Sequence, residues 1–211
     1  MRAAAARPGS GGRPLAFEFI QAMPPAADAT SRVFFALWPD AGACAALDAL
    51  ARTCAAQAGG RAPAGENLHL TLAFIGNVTA SRAQQLGEIG AVAAAAVPPF
   101  TLTLDRIGAF HKQGLAWAGP SSPDASLERL ARKLGNELAG AGFELEQRAF
   151  HPHVTLVRRG RTRLLDVARV GTALATPIVW NVARMTLAVS QQARGGSRYL
   201  ALDEWALGAR R

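Results

Sequence analysis

Residues 66–76 read ENLHLTLAFIG, and residues 150–156 read FHPHVTL. Each sets a histidine in an otherwise apolar, strand-forming run, with threonine two positions later and leucine three: His69-Leu70-Thr71-Leu72 and His153-Val154-Thr155-Leu156. A strand alternates its side chains, so His and Thr share one face while the residue between them turns to the other. Each segment therefore predicts a strand with a core face and a polar face. A single such motif would pass for a satisfied polar group. Two copies in the same order make accident a poor account.

Outward from these strands the chain reads as mixed helix and strand. RVFFAL is a strand, WPD a turn with Asp40 as N-cap, and Ala41 to Gln57 an Ala/Leu-rich helix. A second helix covers Ser81 to Ala96, ended by Pro98 and Pro99. FTLTLDRIGAF and GLAWAG form a hairpin across HKQG, and the next helix takes Ser122 as cap with Pro123 at its first position. ATPIVWNVARMTLAVSQQ and SRYLALDEWAL supply the last strands. The order is not strictly βαβα, which predicts an α+β fold with antiparallel pairing. Each histidine strand follows a helix and a turn-rich connection. The expectation is a bilobal, pseudo-two-fold duplicated domain over 31–211, with two antiparallel sheets flanked by helices around a central cleft. Residues 1–30, rich in Ala, Gly, Pro and Arg without periodicity, read as a flexible extension, with Met23 as an alternative start.

Half of the 211 residues are hydrophobic and 18% charged, as in a globular protein with a well-filled core. Its longest early apolar run, LAFEFIQAM, is too short and too polar for a membrane span. Of the net charge of +8, the extension supplies only +1, its three arginines standing against Glu18 and Asp28. The rest steers anionic partners, nucleic acid and phosphate esters among them. Cys44 and Cys54 are ten residues apart on one helix, about 15 Å along its axis, beyond disulfide reach. That points to reduced thiols and a cytoplasmic protein.

Two imidazoles and two hydroxyls facing each other, with no acidic residue beside either histidine, suit phosphodiester cleavage. One neutral imidazole takes a proton from water while the other, charged, gives one to the leaving oxygen. Hydroxyls and a guanidinium hold the non-bridging oxygens. A metal site is disfavoured, because two histidines without Asp, Glu or Cys at ligand spacing leave the coordination short. A cysteine nucleophile is weaker still, both cysteines lying on a helix far from the motifs.

SRVFFALWPD, ENLHLTLAFIGNV, FHPHVTLVRR and SRYLALDEWAL resemble the two-histidine phosphoesterase superfamily, in its RNA 2′,3′-cyclic phosphodiesterase branch, also called 2′-5′ RNA ligases. The resemblance covers about residues 31 to 211. It implies a metal-free, cofactor-free enzyme that opens terminal RNA 2′,3′-cyclic phosphates to 2′-phosphates and joins RNA ends through a 2′-5′ linkage in reverse. Its partners are RNAs with such ends, tRNA fragments among them, and the protein is a monomer that binds no membrane. By motif, His69 resembles the proton donor and His153 the base, with Thr71 and Thr155 as phosphate holders. Arg158 falls where the family has a phosphate-contacting arginine. Strict alternation turns Arg158 away from His153, so that role requires the strand to end or twist first.

Two rival readings remain open: a related enzyme acting on another cyclic nucleotide or a 2′-5′ oligonucleotide, and a non-catalytic RNA-end binding module. His151 reads as a structural neighbour of His153, and His111 as a loop residue. Phe34 and Phe35 point to opposite faces, so at most one can stack a nucleobase in the cleft. Arg158, Arg159, Arg161 and Arg163 form a basic run suited to a phosphate backbone.

Overall fold

In the computed structural model, which describes residues 30–122, 124–146, 148–165, 172–193 and 196–209, eight strands alternate irregularly with three helices. They are β1 (Ser31–Leu37), α1 (Ala41–Ala58), β2 (Leu70–Val78), α2 (Ala80–Ala95), β3 (Phe100–Phe110), β4 (Leu115–Gly119), α3 (Ala125–Gly140), β5 (Val154–Val157), β6 (Thr172–Val182), β7 (Arg184–Ala193) and β8 (Gly196–Ala206). The extension expected over residues 1–30 lies outside the described residues except for Thr30.

Asp40 caps α1 as expected: its Oδ1 accepts the Ala43 N–H at 2.9 Å. Its Oδ2 also accepts the Asn181 N–H at 2.9 Å, which ties the start of α1 to β6. Ala43, Leu47, Ala51, Cys54 and Ala58 form the buried stripe of α1 at helical spacing. In α3 the stripe is Leu127, Leu130, Leu134 and Leu138, all fully buried. Ser122 is not the cap of α3; Asp124 is, accepting the Leu127 N–H at 2.8 Å. A carboxylate two residues closer to the leucine stripe outcompetes the hydroxyl for the same orphan donors.

The expectation of two sheets is corrected. The strands form one eight-stranded antiparallel sheet in the order β6-β3-β4-β5-β2-β1-β7-β8. Two four-stranded blocks meet where β2 touches β5 through a single residue pair, Leu70 with Val154. That bridge suffices because the helices pack across it. Helix α1 follows β1 yet lies on β5 and β6, α2 lies on β7 and β8, and α3 packs on α2 and β2. Leu70, Leu72, Val154 and Leu156 join the helical leucines in one core, so the helices cover the apolar face of the motif strands. The opposite face, with both histidines and both threonines, stays clear for a site.

Candidate active site

Both histidines sit one residue before their strands, in the half-buried range. The antiparallel pair of Leu70 and Val154 fixes their relation. Counting outward from it, His69 falls across from Thr155 and Thr71 across from His153. All four sequence-predicted motif residues therefore meet on one face at the centre of the sheet.

The imidazoles are held alike. His69 Nδ1 lies 2.8 Å from the carbonyl oxygen of Asn67, and His153 Nδ1 lies 2.8 Å from that of His151. A carbonyl only accepts, so each Nδ1 carries the hydrogen and each neutral ring presents an unprotonated Nε2. Burial pushes His69 down to about 4, its bond to Asn67 opposing and the charges of Arg158 and His153 adding to the fall. Burial lowers His153 too, with the His151 carbonyl opposing and the charges of His151 and Arg158 adding. Both rings are therefore neutral in the free protein near pH 7, and Arg158 stands close enough to repel a charge on either.

Arg158 reaches this face through a break in the alternation. Between β4 and β5 the register slips, so that Trp117 pairs with Thr155 and Ala116 with Val157, leaving Leu156 as an extra residue. Leu156 and Val157 are both buried, and Arg158 returns to the side of His153. Its backbone is clamped: Arg158 and Arg61 exchange two N–H to C=O bonds of 2.9 Å. Arg159 then takes a left-handed turn at φ 57°, the one non-glycine residue with positive φ among the described residues. Arg161 and Arg163 are exposed on the loop that follows, but neither lines the cleft beside His153, where Arg132 and Arg148 do.

Sequence reasoning put His151 beside His153 and one of Phe34 and Phe35 at the cleft, but missed the other rings that seat the histidines. His69 packs on Phe34 and Trp38, each with its ring centroid 5.1 Å away, and on Tyr199 at 4.9 Å. The Trp38 plane is nearly parallel to the imidazole, 25° off. Phe110, Trp117 and His151 surround His153 at 5.4, 6.5 and 5.9 Å. Of the two phenylalanines of β1, Phe34 is the one on the site face, yet it is 3% exposed beneath His69, and Phe35 is in the opposite core. Neither is open to a nucleobase. His111 bonds Thr162 through Nδ1 at 3.0 Å, so it anchors a loop and is not free in one. The usable signal was composition, since Tyr199 is the chain's only tyrosine and stands near the start of a strand-like run.

The chain is similar to known proteins in sequence and in fold. Residues 38–194 match the model of the 2′-5′ RNA ligase superfamily. The RNA 2′,3′-cyclic phosphodiesterase of Escherichia coli K12 is 37% identical over 150 residues, 70% of this chain and 80% of that protein. The enzyme of the same name from Aeropyrum pernix is 35% identical over 96 residues, 44% of this chain and 53% of that protein. The crystal structure of E. coli LigT complexed with 3′-AMP superposes with a TM-score of 0.73 at 33% identity, over 85% of this chain and 99% of that one.

Proposed function

This chain belongs to the 2′-5′ RNA ligase superfamily, and from that footing we propose that it opens terminal RNA 2′,3′-cyclic phosphates to 2′-phosphomonoesters by proton transfer between His69 and His153. It is an enzyme of the RNA 2′,3′-cyclic phosphodiesterase type, sharing sequence and fold with proteins of that activity. The observation that carries the mechanism is the matched tethering of the two rings, each with Nδ1–H on a backbone carbonyl and Nε2 left for substrate.

His153 Nε2 accepts a proton from water, whose oxygen attacks phosphorus opposite the 3′ oxygen. The P–O3′ bond breaks, and His69, as imidazolium, delivers its Nε2 proton to that oxygen. The product carries a 2′-phosphate and a 3′-hydroxyl, and exchange with solvent restores the starting protonation. Thr71 and Thr155 donate hydrogen bonds to the non-bridging oxygens, while Arg158 balances the growing charge. Because burial holds His69 neutral in the free protein, the donor form arises on binding. The phosphodiester anion offsets Arg158, and the stacked Trp38 face attracts an imidazolium. With a ribose 5′-hydroxyl in place of water, the same ring opening forms a P–O5′ bond as P–O3′ breaks, and joins ends through a 2′-5′ linkage; run backwards, it cleaves that linkage and restores the cyclic phosphate.

The pseudo-two-fold plan inferred from the sequence is supported locally. Leu72 of β2 and Leu156 of β5 are both the extra residue of a bulge, and the histidine tethers repeat. The test is product analysis on an oligonucleotide with a 2′,3′-cyclic end, in the presence of EDTA. The expected product is the 2′-phosphate, formed at an undiminished rate. A 3′-phosphate product, or activity abolished by EDTA and restored by a divalent cation, overturns the reading.

A further inference from the structure

The two histidine motifs are alike in sequence, pairing and tether, so nothing in them says which ring should hold the proton. Their surroundings differ. Three successive carbonyls of the turn Gly65–Asn67 accept, in order, from Cys44 Sγ at 3.5 Å, Trp38 Nε1 at 2.9 Å and His69 Nδ1 at 2.8 Å. Indole and imidazole thus hang from neighbouring residues of one short turn. Asn67 Nδ2 ties that turn to the Ser197 carbonyl of β8 at 3.2 Å.

Trp38 reaches the histidine by strand parity. Phe34, Ala36 and Trp38 alternate onto the face opposite the main core, where they pack with Ala188 and Tyr199. Pro39 confines the residue before it to extended backbone, so the alternation carries one step past the end of β1. The bond to Glu66 then holds the indole, whose plane lies 25° from that of His69. Among the described residues His153 has no such partner. Phe110 and Trp117 meet it at 88° and 62°, and the least tilted ring, His151 at 39°, becomes a cation itself in acid. Of the groups facing His69, Arg158 and His153 oppose a charge on it, the Asn67 carbonyl favours one, and Phe34 and Tyr199 bring no carboxylate. That leaves the indole face, the most favourable of the aromatic faces for a cation.

We propose that Trp38 is the positioning residue that makes His69, rather than His153, the proton donor. The inference rests on the cyclic phosphodiesterase reading and supplies what the two like motifs lack, a difference between them. Both rings are neutral in the free protein. When a phosphodiester draws a proton into the site, that proton settles on the ring with an aromatic face lying nearly parallel to it. The indole is held by the Glu66 carbonyl, so it keeps the imidazolium in place while Nε2 faces the phosphate.

The experiment compares the unsubstituted protein, Trp38→Phe and Trp38→Leu in two measurements. One is an NMR titration of the His69 ring in the complex with a dinucleoside phosphodiester, whose charge is constant; the other is the pH profile of kcat on adenosine 2′,3′-cyclic phosphate. In Trp38→Leu the His69 titration and the alkaline limb of kcat should both fall by about one pH unit, with the acidic limb and KM little changed. Trp38→Phe keeps a ring face and gives up the bond to Glu66, and should recover about half of that shift. A merely structural tryptophan would scale kcat at every pH and leave the limb where it was. That result overturns the inference, as does a shift as large in Trp38→Phe as in Trp38→Leu. The titration needs no turnover, so it separates this inference from the reading beneath it. A shifted His69 in a protein that opens no cyclic phosphate rejects the reaction and keeps the seat, whereas turnover with an unshifted His69 keeps the reaction and rejects the seat.

Discussion

Leu70 and Val154 are the one residue pair through which the two halves of the sheet hydrogen-bond among the described residues, and they are the middle residues of the two histidine motifs. In the proposed mechanism, catalysis and sheet continuity share the same six residues. Each histidine is opposed by the other motif's threonine, so a phosphate at the centre meets one acid–base group and one hydroxyl from each side.

That opposition fixes the effect of removing either ring. His69→Ala and His153→Ala should each lower kcat about 10²- to 10⁴-fold while KM changes little. The pH profile should be bell-shaped, its two limbs belonging to the coupled pair. His153→Ala should lose the acidic limb and His69→Ala the alkaline one. Loss of the alkaline limb in His153→Ala would exchange the two roles, and full activity in either variant would remove that histidine from the chemistry.

Substrate should bring a proton with it. Both rings are held neutral in the free protein by burial and by Arg158, and an anion between them reverses that balance. A dinucleoside phosphodiester, whose charge is constant from pH 7 to 5, should bind more tightly as pH falls, by up to about tenfold per unit for one proton taken up. Calorimetry in buffers of different ionisation enthalpy counts that proton directly. A count of zero across this range would contradict the substrate-raised donor.

Stability should move the other way. The folded His69 value of about 4 is below its ordinary 6.5, so the unfolded chain binds more protons in between. The stabilisation is complete above 6.5 and is lost as pH falls towards 4, by at most about 3 kcal/mol. Denaturant melts across that window should show the loss, and His69→Gln should flatten it. An identical slope in the variant would assign the loss to other groups.

Arg158 depends on a neighbour with no side chain. A Cβ at Gly60, whose φ is +89°, would stand 2.6 Å from the Arg158 carbonyl oxygen and 2.7 Å from the Gly160 nitrogen. Gly60→Ala should push the 158–160 turn away and raise KM for the cyclic phosphate roughly tenfold, about 1.4 kcal/mol. In an Arg158→Ala background the same change should cost little more, since the two act through one guanidinium. Full additivity in the double variant would separate Gly60 from Arg158.

Asp40 makes a different kind of join, between the first turn of α1 and β6. Asp40→Ala should destabilise the fold by about 1–2 kcal/mol with kcat unchanged. The Ala43 N–H, and next that of Asn181, hold its carboxyl below the ordinary 3.8. Its contribution is accordingly present above that value and fades as acid protonates it, so wild type and Asp40→Ala should converge in stability at the acid end. A constant gap down to pH 2 would leave charge out of the cap.

The histidines, threonines and most strands were legible because they rest on local periodicity: His69-x-Thr71 and His153-x-Thr155 declare a polar face by spacing alone. The hairpin of β3 and β4 was legible for the same reason. What escaped the sequence depends on distant contacts. Nothing near Leu70 announces that it pairs with Val154, so one sheet was taken for two. Nothing in β8 says that Tyr199 lies against His69, 130 residues earlier in the chain. Arg158 was an intermediate case. Parity placed it on the wrong side unless the strand broke, and the bulge at Leu156 is the break. The Ser122 cap failed through competition, because Asp124 satisfies the same signals closer to the leucines.

The sheet order also dictates a sequence of events during folding. Strands β3 to β6 are consecutive in the chain and form one block, whereas β1 must wait for β7 to return from its far side. Closing that long loop costs entropy before any pairing with β1 repays it, so the nested block, with its short hairpin, closes first. A nascent chain that has emerged only as far as Ala183 already contains both histidine motifs. It still lacks the strand beside β1 and the tyrosine ring against His69. The site is completed only by the strands that follow Ala183, and until then β1 presents an open edge of the kind that recruits the wrong strand.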